Sequence, residues 1–73
     1  MKKGKLYKIK FLDHCKGHDE LLTCEVVGWI INARGNKVFI SPWRVVENDK
    51  ETIEHNVDPY AIAKKLIVSS IEL

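Results

Sequence analysis

The sequence predicts an all-β fold, a small five-stranded sheet that bends until it closes on itself. Two patterns favour this fold: apolar and basic residues alternate near the N-terminus, and a central β-branched and aromatic run is followed by turn-forming residues. The chain has 73 residues, and a chain of this length buries only about 60% of the surface that its unfolded form exposes. We therefore expect a single domain over residues 1–73, without a deep catalytic cleft.

The first predicted strand covers residues 5–12, where side chains alternate with the period of two that marks a half-buried strand. The apolar positions are Tyr7, Ile9 and Phe11, and the basic positions between them are Lys8 and Lys10. Residues 13–20 are polar and contain a glycine, which predicts a loop.

The second predicted strand, residues 22–31, is apolar on both faces in its middle. Gly28 interrupts it, and a glycine within a strand indicates a bulge or a sharp bend where two backbones approach closely. Residues 33–36, with the sequence Ala-Arg-Gly-Asn, then predict a tight turn, so the second and third strands should form a hairpin.

The third predicted strand covers residues 37–46, with Pro42 at a bulge or on an edge because proline has no N–H group to donate. Residues 47–58 are polar and acidic. We expect Ile53 and Val57 to attach part of this segment to the sheet.

The C-terminal segment allows two interpretations. The pair Asp58-Pro59 is typical of a helix N-terminus, whereas the β-branched residues that follow favour a strand. We favour a closing strand over residues 61–72, entered through one helical turn near 58–62. The alternation of this strand places two isoleucines on one face, Ile67 and Ile71.

Five strands in so short a chain cannot form a two-sheet sandwich of any size. A small, strongly bent sheet buries its apolar face and also removes its exposed edges. The sequence therefore predicts an SH3-like or Sm-like barrel.

The charged residues are unevenly distributed along the chain. Twelve Lys and Arg against ten Asp and Glu leave a net charge of +2, which by itself does not imply a nucleic-acid partner. Residues 1–10 nevertheless carry five Lys and no acid, whereas residues 47–58 carry five acids and one Lys. The basic segment could contact phosphate, or the two segments could meet across a subunit contact; we favour a solvated tail and a solvated loop.

The chain contains no apolar run near the roughly 20 residues that a membrane helix needs. Lys5, Lys8 and Lys10 occupy the positions where a signal peptide would have its apolar segment. We therefore expect a cytoplasmic protein without a membrane partner, in which Cys15 and Cys24 are reduced thiols.

Four residues of the metal-binding types lie close together in the sequence, and they could hold a tetrahedral zinc ion: His14, Cys15, His18 and Cys24. Their spacing is poor, because His14 and Cys15 are adjacent and strong sites separate paired ligands by two to four residues. We favour a polar loop without a metal, and we expect no cofactor.

The sequence contains no convincing catalytic constellation. Adjacency of His14 and Cys15 does not by itself activate a thiolate, and no oxyanion donor is recognisable. Glycine-rich phosphate loops, metalloprotease motifs and nucleotide fingerprints are also missing from the sequence. We predict that the protein is not an enzyme and has no catalytic residues.

The two tryptophans, Trp29 and Trp43, suggest either base stacking or packing. Exposed aromatic residues beside basic ones stack on bases in nucleic-acid-binding proteins. The candidate nucleic-acid-binding residues are Lys2, Lys3, Lys5, Lys8, Lys10, Arg34, Trp43 and Arg44. We favour the alternative that both indoles fill the core or a subunit contact, because a small domain needs their apolar area.

Several short stretches resemble a set of small uncharacterised proteins from tailed bacteriophages and prophages. The similar residues are Leu12-Asp13, Val26 to Ile31, Val38 to Ser41, Lys64, Ile67 and Glu72-Leu73. The chain departs from that pattern at Ala63, where the family has proline. The resemblance implies a compact β-barrel of phage type and carries no activity, so no catalytic residue follows from it.

The predicted strand order is also similar to that of Sm-like proteins, in which a final strand pairs with a neighbouring subunit. The Sm signatures for RNA binding are not recognisable in the sequence. We therefore expect a non-catalytic interaction and assembly module that forms a homo-oligomer through its strand edges, with a phage or host protein as a further candidate partner. The alternative is an Sm-like protein that binds RNA or single-stranded DNA.

Overall fold

The computed structural model describes residues 1–14, 21–47, 50–52 and 59–73, and it confirms the all-β prediction. The described residues form seven strands and one 3-10 turn. The strands are β1 (Leu6–His14), β2 (Leu21–Asn32), β3 (Lys37–Ser41), β4 (Val45–Glu47), β5 (Lys50–Thr52), β6 (Tyr60–Ala63) and β7 (Ile67–Glu72). The 3-10 turn, Lys64–Leu66, joins β6 to β7.

Five of the strands form one antiparallel sheet in the order β6-β3-β2-β1-β7. Strands β4 and β5 pair with each other in a separate hairpin. The predicted turn between the second and third strands is confirmed: Gly35 has φ +56° and the Lys37 N–H donates to the Arg34 carbonyl at 3.1 Å.

The predicted third strand is interrupted at Pro42. Strand β3 ends at Ser41, and the chain continues into β4 as part of the separate hairpin. The Ser41 side chain stabilises this break, because its hydroxyl donates to the Trp43 carbonyl and accepts a hydrogen bond from the Trp43 N–H. Ile53 and Val57 lie outside the described residues.

The C-terminal segment is extended, as predicted, but it forms two strands on opposite edges of the sheet. The helical turn lies at Lys64–Leu66, after the expected position, where the Lys64 N–H donates to the Asn36 carbonyl at 2.8 Å. The prediction that Ile67 and Ile71 lie on the same face is wrong. The β1–β7 register shifts between them, so Ile67 packs against the core while Ile71 is exposed.

A short connection forces the sheet to curl. Strands β6 and β7 would lie about 19 Å apart across a flat five-stranded sheet, yet the four Cα steps from Ala63 to Ile67 reach at most about 14 Å. The Tyr60 ring of β6 lies 5.9 Å from the Phe11 ring of β1, and the Tyr60 hydroxyl donates to the Asp13 carboxylate at 3.3 Å. Strand β6, at one edge of the sheet, thus contacts β1 across the concave face.

The core lies on this concave face. Its buried apolar residues come from β1, β2, β3 and β6, and they are Tyr7, Ile9, Phe11, Ile30, Val38, Ile40 and Ile62. Ile9, Ile30 and Ile40 are completely buried. The alternation predicted for the first strand is therefore confirmed, since its three apolar positions all point into the core.

At Gly28, β2 lies close to β3. A Cβ at this position would lie 2.8 Å from the Ser41 carbonyl carbon and 2.9 Å from Cγ1 of Ile40, and it would overlap the Ser41 oxygen. The close backbone approach predicted from this glycine is confirmed. The register shift itself follows later in β2, between Ile30 and Asn32.

Substitution of Gly28 by alanine should destabilise the fold by about 1–3 kcal/mol, because overpacking forces a backbone shift. The free energy of unfolding would be measured by urea titration. Gly35→Asn is the control, since position 35 has open space and asparagine tolerates positive φ. A loss below about 0.5 kcal/mol in Gly28→Ala would contradict the close approach of β2 and β3.

Candidate interaction surfaces

An apolar strip lies on the outer, convex face of the sheet. Lys8 of β1 lies between Val27 of β2 and Ile71 of β7, and Leu6 neighbours Leu73 at the end of the same face. The exposed fractions are 44% for Val27, 55% for Ile71 and 61% for Leu73. We call Leu6, Val27, Ile71 and Leu73 the outer strip.

The edge of β7 borders this strip. Within the described sheet, β7 pairs with β1 on one side and ends the strand order on the other. The Leu73 N–H donates to the Leu6 carbonyl at 2.9 Å, so the alternation of antiparallel pairing directs the N–H groups of Ser70 and Glu72 away from β1. Residues 67–73 contain one charged residue and no lysine or proline, the residues that usually protect an edge strand from pairing.

Strand β7 is held to the N-terminal segment by a polar cluster. The Lys2 N–H donates to the Tyr7 hydroxyl at 3.0 Å, and this hydroxyl donates to the Glu72 carboxylate at 3.2 Å. The Lys2 ammonium lies 3.5 Å from the same carboxylate oxygen. Gly4, with φ +81°, turns the chain back toward this cluster while its N–H donates to the Ile30 carbonyl. The N-terminal backbone is thus bound to the sheet, whereas its lysine side chains remain exposed.

The exposed cations outside β1 form two groups. Lys2, Lys3 and Lys5 precede β1. Four others lie where the β2–β3 turn meets the 3-10 turn: the Lys64 ammonium donates to the Ala33 carbonyl at 3.5 Å, and the Lys64 N–H donates to the Asn36 carbonyl. The 3-10 turn leads directly to Ile67, which pairs with Phe11, so this group lies away from the start of β1. We call it the basic end; its members are Arg34, Lys37, Lys64 and Lys65.

The described acidic side chains have partners on two different strands. Glu72 of β7 forms the ion pair with Lys2, and Asp13 of β1 accepts a hydrogen bond from Tyr60 of β6. Seven of the ten acids belong to residues 15–20 and 47–58 of the sequence.

The candidate nucleic-acid-binding residues do not form one surface. Lys2, Lys3 and Lys5 precede β1, and Arg34 belongs to the basic end. Lys8 and Lys10 lie along the outer face, and Trp43 and Arg44 follow β3. Three members of the basic end were not predicted from the sequence: Lys37, Lys64 and Lys65. Their positions beside the predicted turn and in the closing segment could have identified them. Binding of RNA or single-stranded DNA stays a prediction.

The tryptophans do not belong to the core cluster. Trp29 is half-buried on β2, and the Arg44 guanidinium carbon lies 4.6 Å from its ring centroid, a cation–π contact. Trp43 is 40% exposed. The interpretation that both rings fill the core is therefore wrong, and a subunit contact stays a prediction.

The predicted zinc ligands fall mostly outside the described residues. Cys15 and His18 lie there, as does the His14 side chain, whereas Cys24 is half-buried against the core with Sγ 3.7 Å from the Leu22 carbonyl. The part of the chain that the structure describes contains no cluster of three or more metal-ligating side chains. The zinc site is not tested by this structure.

Within the described ranges, no helix has the length and apolar character needed to cross a bilayer.

No protein-family model, no curated protein and no solved structure matches this chain.

Proposed function

We propose that this protein is a non-catalytic assembly module that associates with a second copy of itself through the edge of β7. The observation that carries this proposal is the edge of β7, which pairs with no strand of the described ranges on its outer side, beside exposed Ile71 and Leu73. An edge strand with unused N–H groups and few charges readily pairs with another strand. A second copy supplies the same edge and the same apolar residues.

An antiparallel pairing of two β7 strands about a two-fold axis suits this edge. Such an interface is self-complementary, because each copy contributes the same residues. A register centred on Ser70 places Glu72 opposite Val68 of the second copy, which keeps the two carboxylates apart. The outer strips of the two copies then meet on one face of a continuous sheet, where burial of Ile71 and Leu73 favours association.

Two further parts of the proposal come from the sequence. The resemblance to phage and prophage proteins supports a phage-type origin for the module. We also place it in the cytoplasm, where a thiol such as Cys24 stays reduced.

Replacing Ile71 with glutamate should convert the oligomer to a monomer. The new carboxylate would face Lys8 within its own chain, which favours the folded monomer, whereas two carboxylates would have to be buried in the dimer interface. We expect at least a tenfold weaker association constant, about 1.4 kcal/mol, measured by sedimentation equilibrium.

The matched control for this substitution is Val46→Glu. Val46 is 61% exposed and belongs to the separate β4–β5 hairpin, so the variant makes the same charge change away from β7. Equal dissociation by both variants, or a wild-type protein that is monomeric at millimolar concentration, would refute self-association through β7.

Proline at position 70 provides a backbone test of the same interface. The Ser70 N–H points away from β1, so Ser70→Pro removes a hydrogen bond to the second copy without removing one to β1. We expect a folded monomer by circular dichroism and light scattering. Ser69→Pro should instead detach β7, since the Ser69 N–H points toward β1. A fully dimeric Ser70→Pro variant would show that pairing does not use this edge.

A further inference from the structure

Strand β6 forms the other edge of the described sheet, and the assembly proposal does not use it. Within the described strand order, β6 pairs with β3 on one side and is the last strand on the other. We propose that the outer side of β6 binds an extended peptide of another protein, in which acidic residues precede an apolar residue. Self-association is not required, because β7 lies at the opposite edge of the sheet.

The backbone of β6 offers hydrogen-bonding groups to such a peptide. The Lys64 N–H donates to the Asn36 carbonyl at 2.8 Å, which continues the register of the β3–β6 pairing. Because successive residues of a strand direct these groups to opposite sides, Ala61 and Ala63 direct their N–H and C=O groups away from β3. Donors and acceptors therefore alternate along this edge, as another strand requires. Phosphate oxygens only accept hydrogen bonds and would not satisfy the two carbonyls.

The side chains beside this edge determine which peptide fits. Each alanine has a larger partner behind it on β3, since Ala61 pairs with Phe39 and Ala63 pairs with Lys37. A glutamate beside Ala63 reaches the Lys37 ammonium, because two long side chains span the two strand spacings, or roughly 10 Å, between β3 and the peptide. An apolar residue beside Ala61 covers the half-buried Phe39 ring.

The basic end extends the preference for acidic residues beyond β6. Lys64 and Lys65 directly follow Ala63, and the contact of the Lys64 ammonium with the Ala33 carbonyl brings Arg34 of the neighbouring turn to the same place. Residues 33–37 and 64–66 contain no acid. Antiparallel pairing is slightly more stable per residue than parallel pairing, and an antiparallel peptide passes these cations before it reaches Ala63. The fitting peptide therefore has an apolar residue two positions after its last acid.

The test is binding of a fluorescein-labelled peptide, Glu-Glu-Glu-Thr-Val-Thr-Val, followed by anisotropy. Its third glutamate is placed beside Ala63 and its first valine beside Ala61. We expect a dissociation constant below about 1 mM, since charge pairs add to the backbone hydrogen bonds. A peptide with lysine at the three glutamate positions should bind at least about tenfold more weakly, because like charges then meet at the basic end.

Hydrogen exchange measured by NMR locates the bound peptide. In the protein alone, the N–H groups of Ala61 and Ala63 should exchange quickly, because they point away from β3. Saturating peptide should slow the exchange of both by at least about tenfold, since hydrogen-bonded amides are protected. The Ser70 N–H on the outer side of β7 is the control for the other edge and should not respond.

The double variant Lys37→Gln/Lys65→Gln removes two cations beside the bound glutamates. We expect about fivefold weaker peptide binding, the loss of two exposed ion pairs. Lys5→Gln/Lys8→Gln makes the same charge change at the start of β1 and should retain nearly the wild-type affinity. Thermal unfolding of both variants checks that the fold is intact.

Three results would overturn the proposal. The first is slow exchange of Ala61 and Ala63 in the protein alone, which would show that this edge is already covered. The second is no saturable binding of the peptide, or slowed exchange at Ser70 in place of the two alanines. The third is an equal loss of affinity in the two double variants, or tighter binding to a single-stranded nucleic acid of equal charge than to the peptide.

Discussion

The three-residue connection between β6 and β7 is the constraint on which the rest of the structure depends. It joins the two opposite edges of the sheet, so the sheet has to curl, and the curl creates a concave face where Ile9, Ile30 and Ile40 are completely buried. Gly28 permits the curl because β3 passes where a side chain would otherwise lie. The contact between Tyr60 and Phe11 then holds β6 against β1 across the same face.

The same topology determines which surfaces remain for partners. A curled sheet uses its concave face for the core, so the convex face and the outer edge of β7 are left exposed in the described part of the chain. The link from Tyr7 to Glu72 and Lys2 fixes β7 at the boundary of the core, and this edge is therefore presented in a defined conformation. Presenting an ordered edge lowers the conformational entropy lost when a second strand pairs with it.

Local patterns in the sequence predicted the elements more successfully than their arrangement. Alternation identified β1, and the turn residues around Gly35 identified the β2–β3 hairpin, because both signals depend on neighbours in the chain. The separation of Ile67 from Ile71 could not be predicted, since the register shift in the β1–β7 pairing arises from contact with a distant strand. The basic end was missed for the same reason: Lys64 and Lys65 become neighbours of Arg34 and Lys37 only through the pairing of β6 with β3.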